Sequence, residues 1–310
     1  MLLMFRRSFV ILILLTVFII LLLDVRTVNL QDKFFEHASA QDFINTSGIQ
    51  NETAESTTPL IVKLLADNLE NRLNKSAVIL EITGELPQVK NVSYANSISS
   101  ELHGIPKDID IAKRKVAQDI LTADRDLQVI SFLMPNGDIY MVEPYSRQQN
   151  LTANNFAFRD YYKGAVSTAD TYLGNVVISS SSGLPQSNIA VPLYSSASNN
   201  NSSNMTLLGT WSGGLNLTTF SETLQSLNLT NGERIVYIDQ NGQKVADSDK
   251  QSFRTNQNES FSNLQAFSKV LQEQKPGSAI ETINGTRMLV FYEPVQFHST
   301  TWAVLLLKPL

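Results

Sequence analysis

The stretch VISFLMPNGDIYMV, residues 129–142, decides the fold of this chain. Apolar and β-branched residues flank Asn136-Gly137 on both sides, and Asn-Gly between two such runs is the strongest short-range signal for a β-hairpin. The same arrangement returns in IVYIDQNGQKV, residues 235–245. Two hairpins of one design indicate that a structural unit occurs twice along the chain.

Three landmarks follow each hairpin in the same order: a helical pattern, a strand that contains a proline, and a later strand with a Thr-Trp pair. In the first copy they are residues 156–166, Pro192 and Thr210-Trp211, and in the second they are residues 261–271, Pro294 and Thr301-Trp302. Each copy therefore predicts a five-stranded antiparallel sheet with helical cover, which is an α+β fold. Two unrelated α+β domains with similar turns are the alternative, because Asn-Gly hairpins are common.

A helical periodicity of apolar residues precedes the first copy, at Leu60, Ile61, Leu64, Leu65, Leu69 and Leu73. This predicts a long helix that continues toward Leu80 and ends near Gly84 and Pro87. A second helical pattern follows residues 108–110. The apolar stripe of the long helix suits either packing on the modules or the seam of a parallel homodimer.

An apolar run, SFVILILLTVFIILLL at residues 8–23, follows Arg6 and Arg7. It predicts a single-pass membrane anchor with a cytoplasmic N-terminus, and it places the bulk of the chain outside the cell. A cleaved signal peptide is the alternative, with Ala38-Ser39-Ala40 as a cleavage site that lies far beyond the run. Frequent Asn-x-Ser/Thr sequons agree with export and predict a glycoprotein. The predicted domains are the anchor (1–23), a juxtamembrane segment with the long helix (24–89), and two modules (90–217 and 218–310).

Composition excludes several classes of function. The chain has 310 residues and no cysteine, which excludes disulfides, thiol catalysis and cysteine-based zinc sites. The histidines, His37, His103 and His298, are far apart, so we predict neither a metal site nor a cofactor. A net charge of −5 without a dense Lys/Arg cluster excludes a nucleic-acid partner. No catalytic motif for acyl, phosphoryl or metal-assisted chemistry is present, so we do not expect an enzyme.

A family resemblance is carried by NFAFRDYYKGA at residues 155–165, by Tyr172, by Gly183-x-Pro185 and by IAVP at residues 189–192. These residues resemble the double Cache family of extracellular sensors, and the resemblance covers about residues 24–308. It implies a long helix that rises from the membrane and two PAS-like modules. In the family the ligand usually lies in the membrane-distal module, which corresponds to about residues 90–215 here.

The resemblance also implies a set of ligand-binding residues. In members that bind amino acids, an arginine pairs with the ligand carboxylate and aromatic side chains surround it, and Arg159, Tyr161, Tyr162 and Tyr172 match that pattern. An arginine suits this role because its planar fork pairs with both oxygens of a carboxylate. Trp211 is a further candidate, although a tryptophan in a strand normally belongs to the core.

The departures from the family pattern concern the ligand's amino group. The acidic residues that bind it in the family would fall near Gly174 and Gly214, where this chain has no acceptor for an ammonium group. We therefore expect a small carboxylate or a neutral planar ligand and not an ordinary α-amino acid. The alternative is that Arg159 only braces the loop and the helix beside it.

Sensors of this kind usually signal through a second membrane span, and none follows the last predicted strand, residues 301–307. We therefore expect a ligand-binding protein that signals through a separate partner. The alternative from a different class is an anchored, glycosylated surface module for protein interactions whose pockets are vestigial. Ligand-binding measurements separate the two.

Overall fold

The computed structural model describes residues 54–195, 205–230, 232–251 and 259–310. The predicted anchor at residues 1–23 and most of the polar loop at 195–204 therefore lie outside the described residues. Within the described ranges, every helix is too short or too polar to serve as a transbilayer segment.

The two halves of the described chain contain the following elements. In the first half the helices are α1 (Ala54–Gly84), α2 (Pro87–Lys90), α3 (Ile111–Ala123), α4 (Tyr145–Gln149) and α5 (Asp160–Thr168), and the strands are β1 (Leu127–Leu133), β2 (Ile139–Glu143), β3 (Tyr172–Leu173), β4 (Val177–Ile178), β5 (Pro185–Gln186), β6 (Asn188–Tyr194) and β7 (Leu207–Leu215). In the second half they are α6 (Leu217–Gln225), β8 (Arg234–Ile238), β9 (Lys244–Asp247), α7 (Gln265–Glu273), β10 (Gly277–Ile283), β11 (Thr286–Phe297) and β12 (Thr300–Pro309).

The strands form two five-stranded antiparallel sheets with one topology, as predicted. The first sheet has the order β2-β1-β7-β6-β3, and the second has the order β9-β8-β12-β11-β10. When the five strands of each sheet are renumbered 1 to 5 in chain order, both sheets have the strand order 2-1-5-4-3. The remaining strands, β4 and β5, form a separate two-stranded hairpin between β3 and β6. Strand order alone therefore favours duplication over two unrelated domains.

The turns of the two long hairpins agree in detail. Gly137 and Gly242 have positive φ angles of 85° and 74°, a conformation that favours glycine. Each glycine carbonyl accepts a hydrogen bond from a buried phenylalanine amide, at 2.8 Å from Phe156 and at 2.7 Å from Phe261. In each module this bond holds the segment that leads into the next helix against the hairpin turn.

Helix α1 packs against both sheets. Its buried face includes Leu69, Leu73 and Leu80, which share one apolar cluster with Trp211 of the first sheet and Trp302 of the second. Burial of a leucine side chain contributes about 1.5–3 kcal/mol, so the helix adds stability to both modules at once. Opposite this face, Leu60, Leu64, Val78 and Ile82 are 47–52% exposed, and the homodimer seam stays a prediction.

Arg72 joins α1 to the first sheet and to α6. Its Nε and Nη2 atoms donate to both carboxylate oxygens of Asp126, which immediately precedes β1, and it also donates to Thr219 and Thr223 of α6. The guanidinium lies 4.3 Å from the centre of the Phe220 ring. Burial alone would raise the pKa of Asp126, but the bonds from Arg72 outweigh burial and lower this pKa below its usual value.

Asp239, in the turn of the second hairpin, ties the two modules together. One carboxylate oxygen accepts the amides of Asn241 and Gln243 at 2.9 and 2.8 Å within its own turn. The other oxygen accepts the amide of Val176 in the first module at 2.8 Å. The side chain is buried, and burial raises its pKa. The segment between β3 and β4 is therefore bonded to the second module.

Candidate functional site

A cleft of about 460 Å³ opens beside the N-terminus of α5, and we call it the α5 cleft. It lies between the segment that precedes α5 and the loop of the β4–β5 hairpin. Its lining residues are Thr152, Ala153, Phe156, Phe158, Arg159, Ile178, Ser179, Ser180, Ser181 and Gly183. Arg159 is the one charged side chain among them, and no carboxylate lines the cleft.

The β4–β5 loop supplies a polar wall. The loop comprises residues 179–184, whose one apolar side chain, Leu184, is exposed, and Gly183 takes a positive φ of 70°. The hydroxyl of Ser180 lies 2.7 Å from that of Thr152 and also accepts the Thr152 amide at 3.1 Å. These bonds hold the loop against the segment before α5, with serine hydroxyls along the cleft.

Arg159 occupies the N-cap position of α5 with an extended backbone, φ −68° and ψ 141°. Its guanidinium carbon lies 5.1 Å from the ring centre of Phe158 and 5.9 Å from that of Phe156. Nη2 donates to the carbonyl oxygen of Ile178 at 3.0 Å, so the side chain does brace the loop. It has no carboxylate partner in the part of the chain that the structure describes, which leaves its fork available to an anion.

The three candidate tyrosines come together behind the cleft without lining it. Tyr161 and Tyr162 are 7% and 6% exposed and pack with Tyr172 in the apolar cluster beneath α5. The Tyr162 hydroxyl donates to the carbonyl of Pro135 at 2.6 Å, and the Tyr172 hydroxyl accepts from Gln240 at 3.3 Å. Burial raises the pKa of Tyr161 and of Tyr162, so both hydroxyls stay neutral. Their direct contact with a ligand stays a prediction.

Trp211 lies apart from the other candidates. It is completely buried in the core cluster that includes α1, and its indole nitrogen donates to Thr83 of α1 at 3.1 Å. Its ring also contacts Phe132, 6.5 Å away between centres. The structure therefore places Trp211 with the core and does not bring it to the α5 cleft.

The two glycines at the expected amine-binding positions are closely packed. A Cβ atom on Gly174 would lie 2.8 Å from Cβ of Tyr161, and one on Gly214 would lie 2.4 Å from the side-chain nitrogen Nε2 of Gln186. The nearby carboxylate of Asp160 already accepts backbone amides, including that of Tyr161 at 2.8 Å. Neither position has space for an acidic side chain in this packing.

Sequence reasoning missed two features of the cleft. Phe158 lies within the motif at residues 155–165 but is not among the predicted ligand-binding residues, and its side chain is 57% exposed beside Arg159. The serine run at 179–182 resembles an ordinary surface loop in sequence. An aromatic residue directly before the arginine was the one signal that could have pointed to Phe158.

The second module lacks an equivalent of Arg159. The amide of Leu264 donates to the carbonyl of Phe261 at 3.1 Å, just as the amide of Arg159 donates to that of Phe156 at 3.0 Å. Leu264 therefore occupies the corresponding position, and it packs on an apolar cluster that fills this side of the second sheet. The second module therefore has no cation at the position of Arg159, and the guanidinium near Phe261, that of Arg234, is paired with Asp247 and Glu259.

A buried lysine lies beside a second cleft of about 400 Å³ near the N-terminus of α3. Lys113 is fully buried, and its ammonium lies 4.1 and 4.0 Å from the ring centres of Phe132 and Tyr140. It donates to the carbonyl of Asn91 at 2.6 Å and lies 3.5 Å from the carboxylate of Asp110. Burial lowers the pKa of Lys113 to about 8. Because these groups already surround its ammonium, we assign Lys113 a structural role.

The described residues contain no cluster of histidine and acidic side chains that could hold a metal ion. The chemistry that the α5 cleft offers is recognition of an anion by a cation, an aromatic face and hydroxyls.

Several solved structures have a similar fold. The ligand-binding domain of the Pseudomonas fluorescens chemoreceptor CtaA in complex with L-isoleucine has a TM-score of 0.54 and 16% identity, over 82% of this chain and 91% of that one. The ligand-binding domain of the Pseudomonas aeruginosa PAO1 chemoreceptor PctB in complex with L-Arg has a TM-score of 0.57 and 15% identity, over 84% and 96%. The corresponding domain of PctC from the same strain, in complex with GABA, has a TM-score of 0.54 and 15% identity, over 82% and 99%.

At these identities the likeness concerns the fold alone. No curated protein matches the chain. The family model for the Cache domain, dCache_1, matches residues 45–310, which is most of the sequence and includes both sheets and the α5 cleft. This chain therefore belongs to the Cache domain family.

Proposed function

We propose that this protein is a sensor whose first module, residues 90–217, binds a small carboxylate or planar metabolite in the α5 cleft. The observation that carries the proposal is Arg159, a guanidinium without a carboxylate partner among the described residues, at the wall of a cleft. The exposed ring of Phe158 supplies a surface on which a planar group can stack. Cache domains are a family of ligand-binding sensor domains and not an enzyme family.

The lining of the cleft argues against an ordinary α-amino acid. Such a ligand has an ammonium group, which needs a carboxylate or several carbonyl acceptors when it is removed from water. The cleft contains no carboxylate, and Gly174 and Gly214 leave no space for one. CtaA, PctB and PctC were solved with L-isoleucine, L-Arg and GABA, which all carry a cationic amine. We propose that the ligand of this chain lacks it.

A thermal-shift screen tests the proposal directly. A ligand at a hundred times its Kd stabilises the folded state by about 2.7 kcal/mol, which raises the Tm by about 5 °C for a chain of this size. We expect such a shift with at least one carboxylate or planar metabolite, and none with simple α-amino acids.

Two variants locate the effect. Arg159→Gln should remove the shift, because glutamine keeps a donor for the Ile178 carbonyl but has no charged fork. Arg287→Gln changes an exposed arginine of β11 and should leave the shift intact. A flat response across a broad library would contradict the sensor proposal and favour the surface-module alternative, which the similar structures do not favour.

We further propose that residues 8–23 anchor the protein with the modules outside the cell, and that a signalling partner responds to the bound state. The apolar run after Arg6 and Arg7 supports the anchor. The extracellular or ligand-binding domains among the similar structures support the signalling role. Replacing Leu14 and Leu15 by arginine should move the protein from the membrane fraction to the soluble fraction.

A further inference from the structure

A second guanidinium bonds to the wall of the α5 cleft from behind, although it is not itself a lining residue. Arg147, on α4, donates from Nη1 to the hydroxyl of Ser181 at 3.4 Å and from Nη2 to the side-chain carbonyl of Gln128 at 3.1 Å. Ser181 is one of the lining residues. Like Arg159, Arg147 has no carboxylate within ion-pair distance among the described residues, and both of its acceptors are neutral.

Arg147 and Arg159 differ from the other described arginines that have side-chain hydrogen bonds. Three other described arginines with side-chain bonds pair with carboxylates: Arg72 with Asp126, Arg114 with Glu143, and Arg234 with Asp247 and Glu259. The β4–β5 hairpin differs from the rest of the described chain, because two guanidinium groups donate to neutral acceptors on this one segment. A positive potential without a compensating acid attracts anions to a concave surface.

The two arginines hold the loop at points that are close in sequence. Arg159 binds the carbonyl of Ile178, and Arg147 binds the hydroxyl of Ser181 three residues later. Three residues of extended chain span at most about 10 Å. A carboxylate adds the attraction of an opposite charge and can accept two parallel N–H bonds from one guanidinium, which a single neutral carbonyl or hydroxyl oxygen does not offer. An anion with two charged ends can therefore replace both neutral acceptors at once.

We propose that the α5 cleft binds a dicarboxylate, with one carboxylate on Arg159 and the other on the side of Arg147. The serine hydroxyls of the loop lie between the two ends, and Phe158 and Ile178 flank the carbon chain. This inference rests on the proposed function, because it assumes that the α5 cleft is the ligand site. Beyond the proposed function, it states that the ligand carries two negative charges and that Arg147 takes part in binding it.

Calorimetric titration of the full chain tests the inference. The probes are straight-chain dicarboxylates from malonate to adipate, monocarboxylates of equal length, and inorganic phosphate. We expect at least one dicarboxylate to bind ten times or more tightly than the monocarboxylate of equal length. Arg147→Gln should lower that affinity to the monocarboxylate level and leave monocarboxylate binding unchanged, because glutamine keeps a donor for Ser181 without the charge.

Other outcomes separate this inference from the proposed function. Arg287→Gln should bind every probe as the wild type does, and Arg159→Gln should bind none of them. If Arg147→Gln keeps the dicarboxylate preference, or if phosphate binds as tightly as the best dicarboxylate, the two-point site is wrong and the proposed function stands. If no carboxylate binds the wild type, both the two-point site and the carboxylate form of the proposed function are wrong.

Discussion

Arg72 places a positive charge where α1, the start of the first sheet and α6 meet. Its partner Asp126 has only 3% of its side chain exposed, so removal of the guanidinium leaves a buried carboxylate without a counter-charge. We expect Arg72→Met to lower the free energy of unfolding by about 3–5 kcal/mol. Urea unfolding measures this loss, and Lys63→Met, which breaks the exposed pair with Asp67, should leave the midpoint nearly unchanged.

The same pair should make stability depend on acid. The folded state lowers the pKa of Asp126, so its contribution is complete above the unfolded pKa of about 4 and is lost as the pH falls below it. The wild type should lose stability between pH 5 and pH 3 more steeply than Arg72→Met does. Urea titrations at several pH values measure this, and an equal loss of unfolding free energy per pH unit in the two proteins would contradict a role for the pair.

Lys113 predicts a pH dependence at the alkaline end. Its folded pKa of about 8 lies below the ordinary lysine pKa of 10.5, so the unfolded chain holds more protons at this site between those two pH values. Stability should therefore rise with pH through this window, and Lys113→Met should abolish that rise. Lys115→Met changes an exposed lysine on the same helix and should retain it. The raised pKa of Tyr140 affects stability only above pH 10, which limits the useful range.

Elements whose signal is local could be predicted from sequence. Both hairpins follow from Asn-Gly turns, which need a positive φ wherever they occur. Helix α5 begins at Asp160 and not near residue 156, because residues 156–159 form a turn closed by the bond from Arg159 to Phe156. Strands β3, β4 and β5 have two residues each, too few for any periodicity to indicate a strand.

The cleft was predictable only in part. Arg159 follows from the family resemblance, because it lies within one continuous motif. Arg147 and the serine loop were not predictable, because they meet through tertiary packing: Arg147 and Ser181 are 34 residues apart, and Thr152 and Ser180 are 28 apart. Their residue types are common on ordinary surface loops, so nothing local separates a binding loop from a solvated one.

The hairpin glycines offer a matched pair of element-level tests. A Cβ atom on Gly137 would lie 2.5 Å from Cβ of Ala157, and one on Gly242 would lie 2.7 Å from the amide of Ser262. Because both positions have positive φ, we expect each alanine variant to lose about 1–3 kcal/mol of stability. Gly137→Ala should also weaken Arg159-dependent binding, since it displaces the segment before α5. Gly242→Ala should leave binding unchanged, and an equal effect of both on affinity would contradict this assignment.

At the scale of the whole molecule, the bond from Val176 to Asp239 is one contact through which events in the cleft can reach the second module. Ile178, which accepts the bond from Arg159, lies two residues beyond Val176 on the same segment. Asp239→Asn leaves one acceptor oxygen in place of two. This oxygen cannot serve both the amides of Asn241 and Gln243 and the amide of Val176, so the bond to Val176 should weaken. We expect faster hydrogen exchange in residues 173–178, measured by mass spectrometry.

Asp138→Asn is the matched control for this experiment. It changes an acidic residue in the turn of the first hairpin, whose bonds are to Asn136 and Asn155 and not to the second module. Exchange in residues 173–178 should stay at the wild-type rate in this variant. If Asp239→Asn also leaves that rate unchanged, the contact does not hold the segment in place.

Leu264, at the position that Arg159 has in the first module, determines the stoichiometry of binding. Leu264 is half-buried against an apolar cluster, and the Glu281 carboxylate accepts the amides of the next two residues, Gln265 and Ala266, so this position offers an anionic ligand an acid and no cation. Each chain should therefore saturate with one equivalent of ligand, although its architecture is twofold.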